Sequence, residues 1–240
     1  MQTVLLTGIS SGIGKEIARQ LKAQGIRVIG TDLYQPQDAS IFDHFIAADF
    51  RDRSALDPII EYILQEDIRL TGFVHNAMLY AGGLDRCDYE SFMSVYAVSV
   101  AAPYYLCQQL NDTFAPGMSI VLIGSTRYLQ SQPFTESYSA AKGGLYSLNH
   151  ALAMSLRGKA RVNLIAPGWI DSKGEGPFSV EDKASQPVGR VGQPSDVASL
   201  CRFLLSDEAG FITGAVFPVD GGMTRQMIYP GDFGWDYKTP

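Results

Sequence analysis

Short apolar runs alternate along the chain with longer stretches in which apolar residues recur every three or four positions. The runs "TVLLT" (3–7), "IRVIGT" (26–31), "HFIAA" (44–48), "GFVH" (72–75), "SIVLIG" (119–124), "RVNLIA" (161–166) and "AVFPV" (215–219) are continuous rather than alternating. Continuous runs of this length predict strands covered on both faces, as in a parallel sheet. The helical period predicts helices near 13–24, 54–65, 90–111, 137–156 and 195–206. Their alternation predicts an α/β fold of βαβ units: a doubly wound, Rossmann-type parallel sheet of about seven strands flanked by helices. No linker composition or internal repeat interrupts the pattern, so one domain is expected over 1–222, followed by a tail over 223–240. The stretch from Ser172 to Gly192 is rich in Gly, Pro, Ser and charge. It lies between a strand and a helix, where active-site loops usually sit.

Bulk properties narrow the function. A 240-residue chain with 46% hydrophobic and 18% charged residues reads as an ordinary globular protein. The net charge of −6 argues against nucleic acid or an anionic membrane as the main partner. Cys87, Cys107 and Cys201 stand far apart and are odd in number, which suits buried thiols in a reducing compartment. The start "MQTVLLTGIS" is too short and too glycine-rich for a signal peptide, and no apolar run reaches membrane-spanning length. A cytoplasmic protein is expected. His44, His75 and His150 show no ligand spacing, so no metal site is expected.

Two stretches carry chemistry. "TGISSGIG", Thr7 to Gly14, directly follows the first predicted strand and opens the first predicted helix. Gly8, Gly12 and Gly14 permit a tight turn and close backbone approach to a pyrophosphate at a helix N-terminus, with Ser10, Ser11 and Ile13 inside the same turn. Asp32 ends the second strand about 20 residues on, where a carboxylate accepts hydrogen bonds from the adenosine ribose and repels a 2′-phosphate. No basic residue flanks it: its neighbours are Thr31 and Leu33. In "ESYSAAKGGL", Tyr138 and Lys142 are one helical turn apart and share a face. A cation beside a phenol favours the phenolate, although an isolated pair of this kind is more often a packed Tyr and a solvated Lys.

With these motifs in order, the chain resembles the short-chain dehydrogenase/reductase family over essentially its whole length up to about Gly222. Thr7, Gly8, Gly12 and Gly14 match that family's T-G-x-x-x-G-x-G. Asp49 and Phe50 resemble its adenine-contacting segment, and Asn76-Ala77-Met78 its N-A-G, with the glycine lost. Ser125 stands thirteen residues before Tyr138, as the family's catalytic serine does, and Tyr138 and Lys142 match its Y-x-x-x-K. Pro167 and Gly168 match its P-G turn, Ile170 follows, and Ser172 takes the place of a threonine that contacts the nicotinamide amide. Family members usually have an asparagine in a V-N pair of the proton relay; here Val98-Ser99 puts Ser99 there.

The resemblance implies an oxidoreductase moving a hydride between NAD(H) and a small carbonyl or secondary alcohol. Tyr138 is then the general acid/base, Ser125 binds the substrate oxygen, and Lys142 holds the nicotinamide ribose and lowers the tyrosine pKa. An NADPH-dependent 3-oxoacyl-carrier-protein reductase is the alternative enzyme, and a silent NAD-binding regulator the alternative class. Asp32 speaks against NADP, and the intact Ser125, Tyr138 and Lys142 against the regulator. The family commonly pairs through two helices, implying a homodimer or homotetramer, with Val95, Ala101, Ala102 and Leu145 suited to the contact. Substrate-facing positions are expected at Arg127, Tyr128, Phe134, Trp169, Glu175 and Phe178, with Tyr80 approaching from the fourth-strand loop. Few large aliphatics occur among them, which favours a small polar substrate resembling a sugar or hydroxy acid.

Overall fold

A computed structural model describes residues 1–227 and Tyr229. The expected tail beyond these lies outside the described residues. Seven parallel strands form one sheet: β1 (Thr3–Thr7), β2 (Arg27–Asp32), β3 (His44–Ala47), β4 (Leu70–His75), β5 (Phe114–Ile123), β6 (Ala160–Pro167) and β7 (Val216–Val219). Their spatial order is β3-β2-β1-β4-β5-β6-β7. Direction of winding therefore reverses between β1 and β4, and ligands of open α/β sheets bind outside the strands' carboxyl ends at such a switch point. β1 is in register with β4 through Thr7 and His75 at that end.

Alternation within each strand feeds two cores. On β1, Leu5 faces one core while Val4 and Leu6 face the other; on β5, Ile120 and Leu122 are opposed by Val121 and Ile123. The first core is closed by α2 (Asp57–Gln65), α4 (Ala102–Leu110) and α5 (Glu136–Ser155). The second is closed by α1 (Gly12–Ala23) and α7 (Pro194–Leu205), whose Ile17, Leu21, Val197 and Leu204 are buried. Each such side chain contributes roughly 1.5–3 kcal/mol on burial. This double coverage is why the strands read as unbroken apolar runs.

Three local features depart from the sequence pattern. The helix expected near 90–111 is α3 (Tyr89–Tyr96) joined to α4 by a π-helical turn, Ala97–Ala101. Pro103 has no N–H to offer the Ser99 carbonyl four residues back, which suits a widened turn there. The insert after β6 contains a short helix, α6 (Val180–Ala184). Its capping box pairs Ser179 and Asp182 through two 3.0 Å hydrogen bonds. Finally, Val95, Ala102 and Leu145 pack inside their own chain at 0–2% exposure and are unavailable for subunit contact. The large exposed apolar and aromatic side chains of α3, α4 and α5 are instead Tyr89, Met93, Tyr96, Tyr104, Tyr146 and Met154.

Candidate active site

The carboxyl ends of β1, β2 and β4 form a cleft around the glycine turn. Thr7 Oγ1 accepts the backbone N–H groups of Asn76 and Ala77, both at 3.1 Å, tying β1 to β4. Asn76 Nδ2 donates to the Gly8 carbonyl at 2.8 Å. Gly12 has φ +52°, open to glycine at little cost, and a Cβ on Gly14 would lie 1.9 Å from the Gly8 carbonyl oxygen. Asp32 accepts from the backbone N–H of Ser10 (2.9 Å) and of Leu33 (2.7 Å), so its carboxylate caps the turn from β2. Ser10 Oγ donates to the Tyr34 carbonyl at 2.5 Å. Gly8, Ser11, Asp32, Asp49, Phe50 and Ala77 share a cavity of about 300 Å³. Arg51 opens onto it too, clamped to Asp49 by contacts of 2.9 and 2.5 Å. That hydrogen-bonded guanidinium holds the Asp49 carboxyl below its usual range.

A second cavity, about 210 Å³, continues from the first past Asn76 and Met78. It is lined by Ile13, Ser125, Tyr138, Lys142, Pro167, Gly168, Ile170 and Ser172. Ser125 follows β5 and caps a single turn, accepting the Arg127 backbone N–H at 3.2 Å. Tyr138 and Lys142 lie on the first turns of α5, with Lys142 Nζ 5.5 Å from the centre of the Tyr138 ring. Lys142 is 3% exposed, and burial pushes its ammonium down to about 8. One of its three donors goes to the Ile123 carbonyl (2.9 Å), the one partner it has among the described residues, which leaves two for a ligand. Tyr138 shifts the other way: burial raises its phenol, while the Ser125 hydroxyl and the Arg127 charge pull it down. Without a cofactor, Ser125 and Arg127 are the groups that lower it, while the Lys142 ammonium is hydrogen-bonded to the Ile123 carbonyl.

Beneath these groups lies His75, the last residue of β4. It is 1% exposed, and its Nδ1 is 3.0 Å from Thr7 Oγ1. Because Thr7 Oγ1 already accepts two N–H groups, its hydroxyl donates to Nδ1 and the ring proton sits on Nε2. Nε2 has no partner in hydrogen-bonding geometry among the described residues, nor has the buried Ser99 Oγ. Burial first, and then the Lys142 charge, drive the imidazole down to about 3; the facing backbone of Ser99 and Val98 opposes this.

A family model described as enoyl-(acyl carrier protein) reductase matches residues 8–224. An uncharacterized oxidoreductase from Thermotoga maritima is 34% identical over 250 residues, covering 95% of this chain and 98% of that protein. The chain belongs to the short-chain dehydrogenase/reductase family. A 3-oxoacyl-[acyl-carrier-protein] reductase from Haemophilus influenzae is 28% identical, covering 91% of this chain and 96% of that one. The solved structure of an apo SCOR enzyme from Clostridium thermocellum superposes with a TM-score of 0.91 at 37% identity, covering 100% of this chain and 99% of that chain.

In this short-chain dehydrogenase/reductase, a third cavity of about 950 Å³ adjoins the second, and Ser125, Tyr138, Gly168 and Ile170 line both. Of the expected substrate-facing residues, Tyr80, Arg127 and Trp169 line it. Four do not. Tyr128 stacks on Tyr146 at 4.8 Å, and Phe178 packs edge-on against Trp169. Glu175 is exposed and pairs with Lys173 at 3.5 Å, while Phe134 is exposed with φ +62°. Gln130, Ser131, Gln132, Thr135, Ser185 and Met223 line the cavity without having been expected. The run "RYLQSQPFT" after Ser125 carried the signal for four of these, since it is polar and bears no helical period. Arg51 was missed because only the sequence neighbours of Asp32 were weighed, whereas the residue that shares its cavity comes from beyond β3.

Proposed function

We propose that the protein is an NAD(H)-dependent oxidoreductase acting on a small polar ketone or secondary alcohol. One observation carries this reading: Ser125 and Tyr138 stand on the wall common to the larger cavity and to the smaller one lined by Lys142. The residues fit a dinucleotide. Gly12 and Gly14 leave room where a Cβ would fill the turn, Asp32 offers acceptors to ribose hydroxyls, and Lys142 keeps two donors open. When bound, NADH supplies the hydride: the carbonyl carbon gains it, the oxygen gains a proton, and NAD+ results.

In reduction, Ser125 donates to the carbonyl oxygen and Tyr138 gives up its Oη proton to it. The raised phenol suits this direction, because Tyr138 then enters protonated. Lys142, anchored on Ile123, holds the ribose and so sets the donor's position. Ser99, whose buried hydroxyl has no partner among the described residues, stands at the sequence position of the family's relay asparagine. A homodimer or homotetramer in the cytoplasm completes the reading, with Met93, Tyr104, Tyr146 and Met154 in the subunit contact in place of the buried Val95, Ala102 and Leu145.

A second reading, an NADPH-dependent 3-oxoacyl-carrier-protein reductase, draws on Arg51, a cation within the Asp32 cavity. Among the described residues that line the large cavity, Ile170 and Met223 are the only large aliphatic side chains, which gives a long acyl chain little cover. Mixing the protein with NADH or NADPH and a panel of small polar ketones tests the reading. Loss of NADH absorbance with those ketones supports it; turnover confined to NADPH and long-chain 3-oxoacyl thioesters contradicts it.

A further inference from the structure

The large cavity holds an electrostatic imbalance that hydride transfer to a neutral ketone leaves unused. Among the described residues that line it, Arg127 alone carries a charge. Elsewhere, Arg27, Arg69 and Arg161 donate to neutral oxygens outside this cavity, while Arg19, Arg51, Arg53 and Arg190 each meet a carboxylate within 2.5–2.9 Å. Arg127 instead donates from Nη2 to the amide oxygen of Gln132, a neutral acceptor. A guanidinium has five donors in a planar fork shaped for a carboxylate, so one amide leaves it far from satisfied.

Nearby acids are committed elsewhere. Glu136 accepts the Leu84 N–H at 3.1 Å, on the far side of the Gly83 loop. Asp171 accepts from Gly174 (2.8 Å) and Glu175 (2.9 Å) at the start of the insert. Asp220 accepts from Gly222 and Thr224. Nothing in the cavity wall neutralises Arg127, and the rest of that wall offers neutral polar groups from Gln130, Ser131, Thr135 and Ser185.

We propose that Arg127 is the carboxylate-binding residue of the substrate pocket, and that the substrate is a short 2- or 3-oxo acid or the matching hydroxy acid. This rests on the oxidoreductase reading above. The short span follows from the cavity that Ser125, Arg127 and Tyr138 line together. Arg127 is two residues from Ser125 within one turn, and its own N–H donates to Ser125 Oγ. A carboxylate forked onto the guanidinium therefore lies within a few bonds of a carbonyl oxygen held between Ser125 and Tyr138. The Arg127 charge is felt at the Tyr138 phenol, in keeping with that proximity.

The test is binding to the protein–NADH complex, followed by NADH fluorescence, with malonate as the anionic probe and malonamide as its neutral counterpart. Malonate is expected to bind about tenfold or more tightly than malonamide, as a charge-assisted fork should. Arg127→Gln should abolish that difference, Arg127→Lys should keep part of it, and unchanged NADH binding in both variants reports an intact fold. Equal affinity for the two probes, or malonate binding insensitive to Arg127→Gln, overturns the proposal. Turnover of pyruvate and acetoacetate against butanone separates the two levels. Turnover of butanone with no preference for the acids removes the anion site and keeps the oxidoreductase. Arg127-dependent malonate binding without turnover of any ketone removes the oxidoreductase and keeps the anion site.

Discussion

Lys142 Nζ hydrogen-bonds the backbone carbonyl of Ile123 at 2.9 Å, joining the helix that carries Tyr138 to the strand that delivers Ser125. One bond thus locks the first turns of α5 against the end of β5, holding phenol and hydroxyl on a common wall. It also leaves a buried ammonium facing a carbonyl dipole rather than a counter-ion, which is why its proton is held loosely.

That loosened proton has a consequence for stability. With Lys142 titrating at about 8 when folded and near 10.4 when unfolded, the unfolded chain binds more protons between these values, so stability rises with pH across that window. Wild type should gain about 2 kcal/mol between about pH 8 and about pH 10 relative to Lys142→Met. Urea denaturation of both proteins at the two pH values measures it. A difference independent of pH would show that the ammonium is not buried as described.

His75 makes the matching prediction on the acid side. Its folded value of about 3 lies below the unfolded value near 6.5, so its contribution is intact above about pH 6.5 and is lost as pH falls toward 3. His75→Asn should therefore lose about 2 kcal/mol less stability than wild type between about pH 6.5 and about pH 4.5. Parallel pH slopes in the two proteins would contradict a buried, neutral imidazole.

Cofactor choice turns on Asp32 against Arg51. Asp32 should make NAD(H) bind more tightly than NADP(H) in the unmodified protein, as measured by fluorescence titration. Asp32→Ser with Leu33→Arg should shift preference toward NADP(H), and Asp32→Ser alone should shift it part of the way because Arg51 already opens onto the cavity. Tighter NADPH binding to the unmodified protein would reverse the assignment.

The doubly wound sheet was legible because each strand's two buried faces leave an unbroken apolar signature, and because "TGISSGIG" marks the turn from β1 into α1. Tyr138 and Lys142 were legible as a spaced pair, but their relation was not. Spacing puts them on one face, whereas the Ile123 carbonyl that claims the ammonium lies nineteen residues away in sequence. β5 begins at Phe114, earlier than expected, because Pro116 and Gly117 read as loop although Phe114 pairs with Leu70 across a register shift. α6 was not legible because a single short turn leaves no apolar period to find, and its capping box shows only in the Ser179–Asp182 bonds. Burial by tertiary packing, which sends Val95 and Leu145 inward and leaves Tyr146 outside, is invisible to local pattern.

The central claim is that Tyr138 moves the proton while Lys142 and the glycine turn hold the cofactor. It is tested most directly by NADH oxidation with a ketone substrate in wild type and Tyr138→Phe, alongside NADH affinity in both. The account predicts a loss of about 10²–10⁴-fold or more in turnover, with NADH affinity little changed. Near-normal turnover in Tyr138→Phe would contradict it.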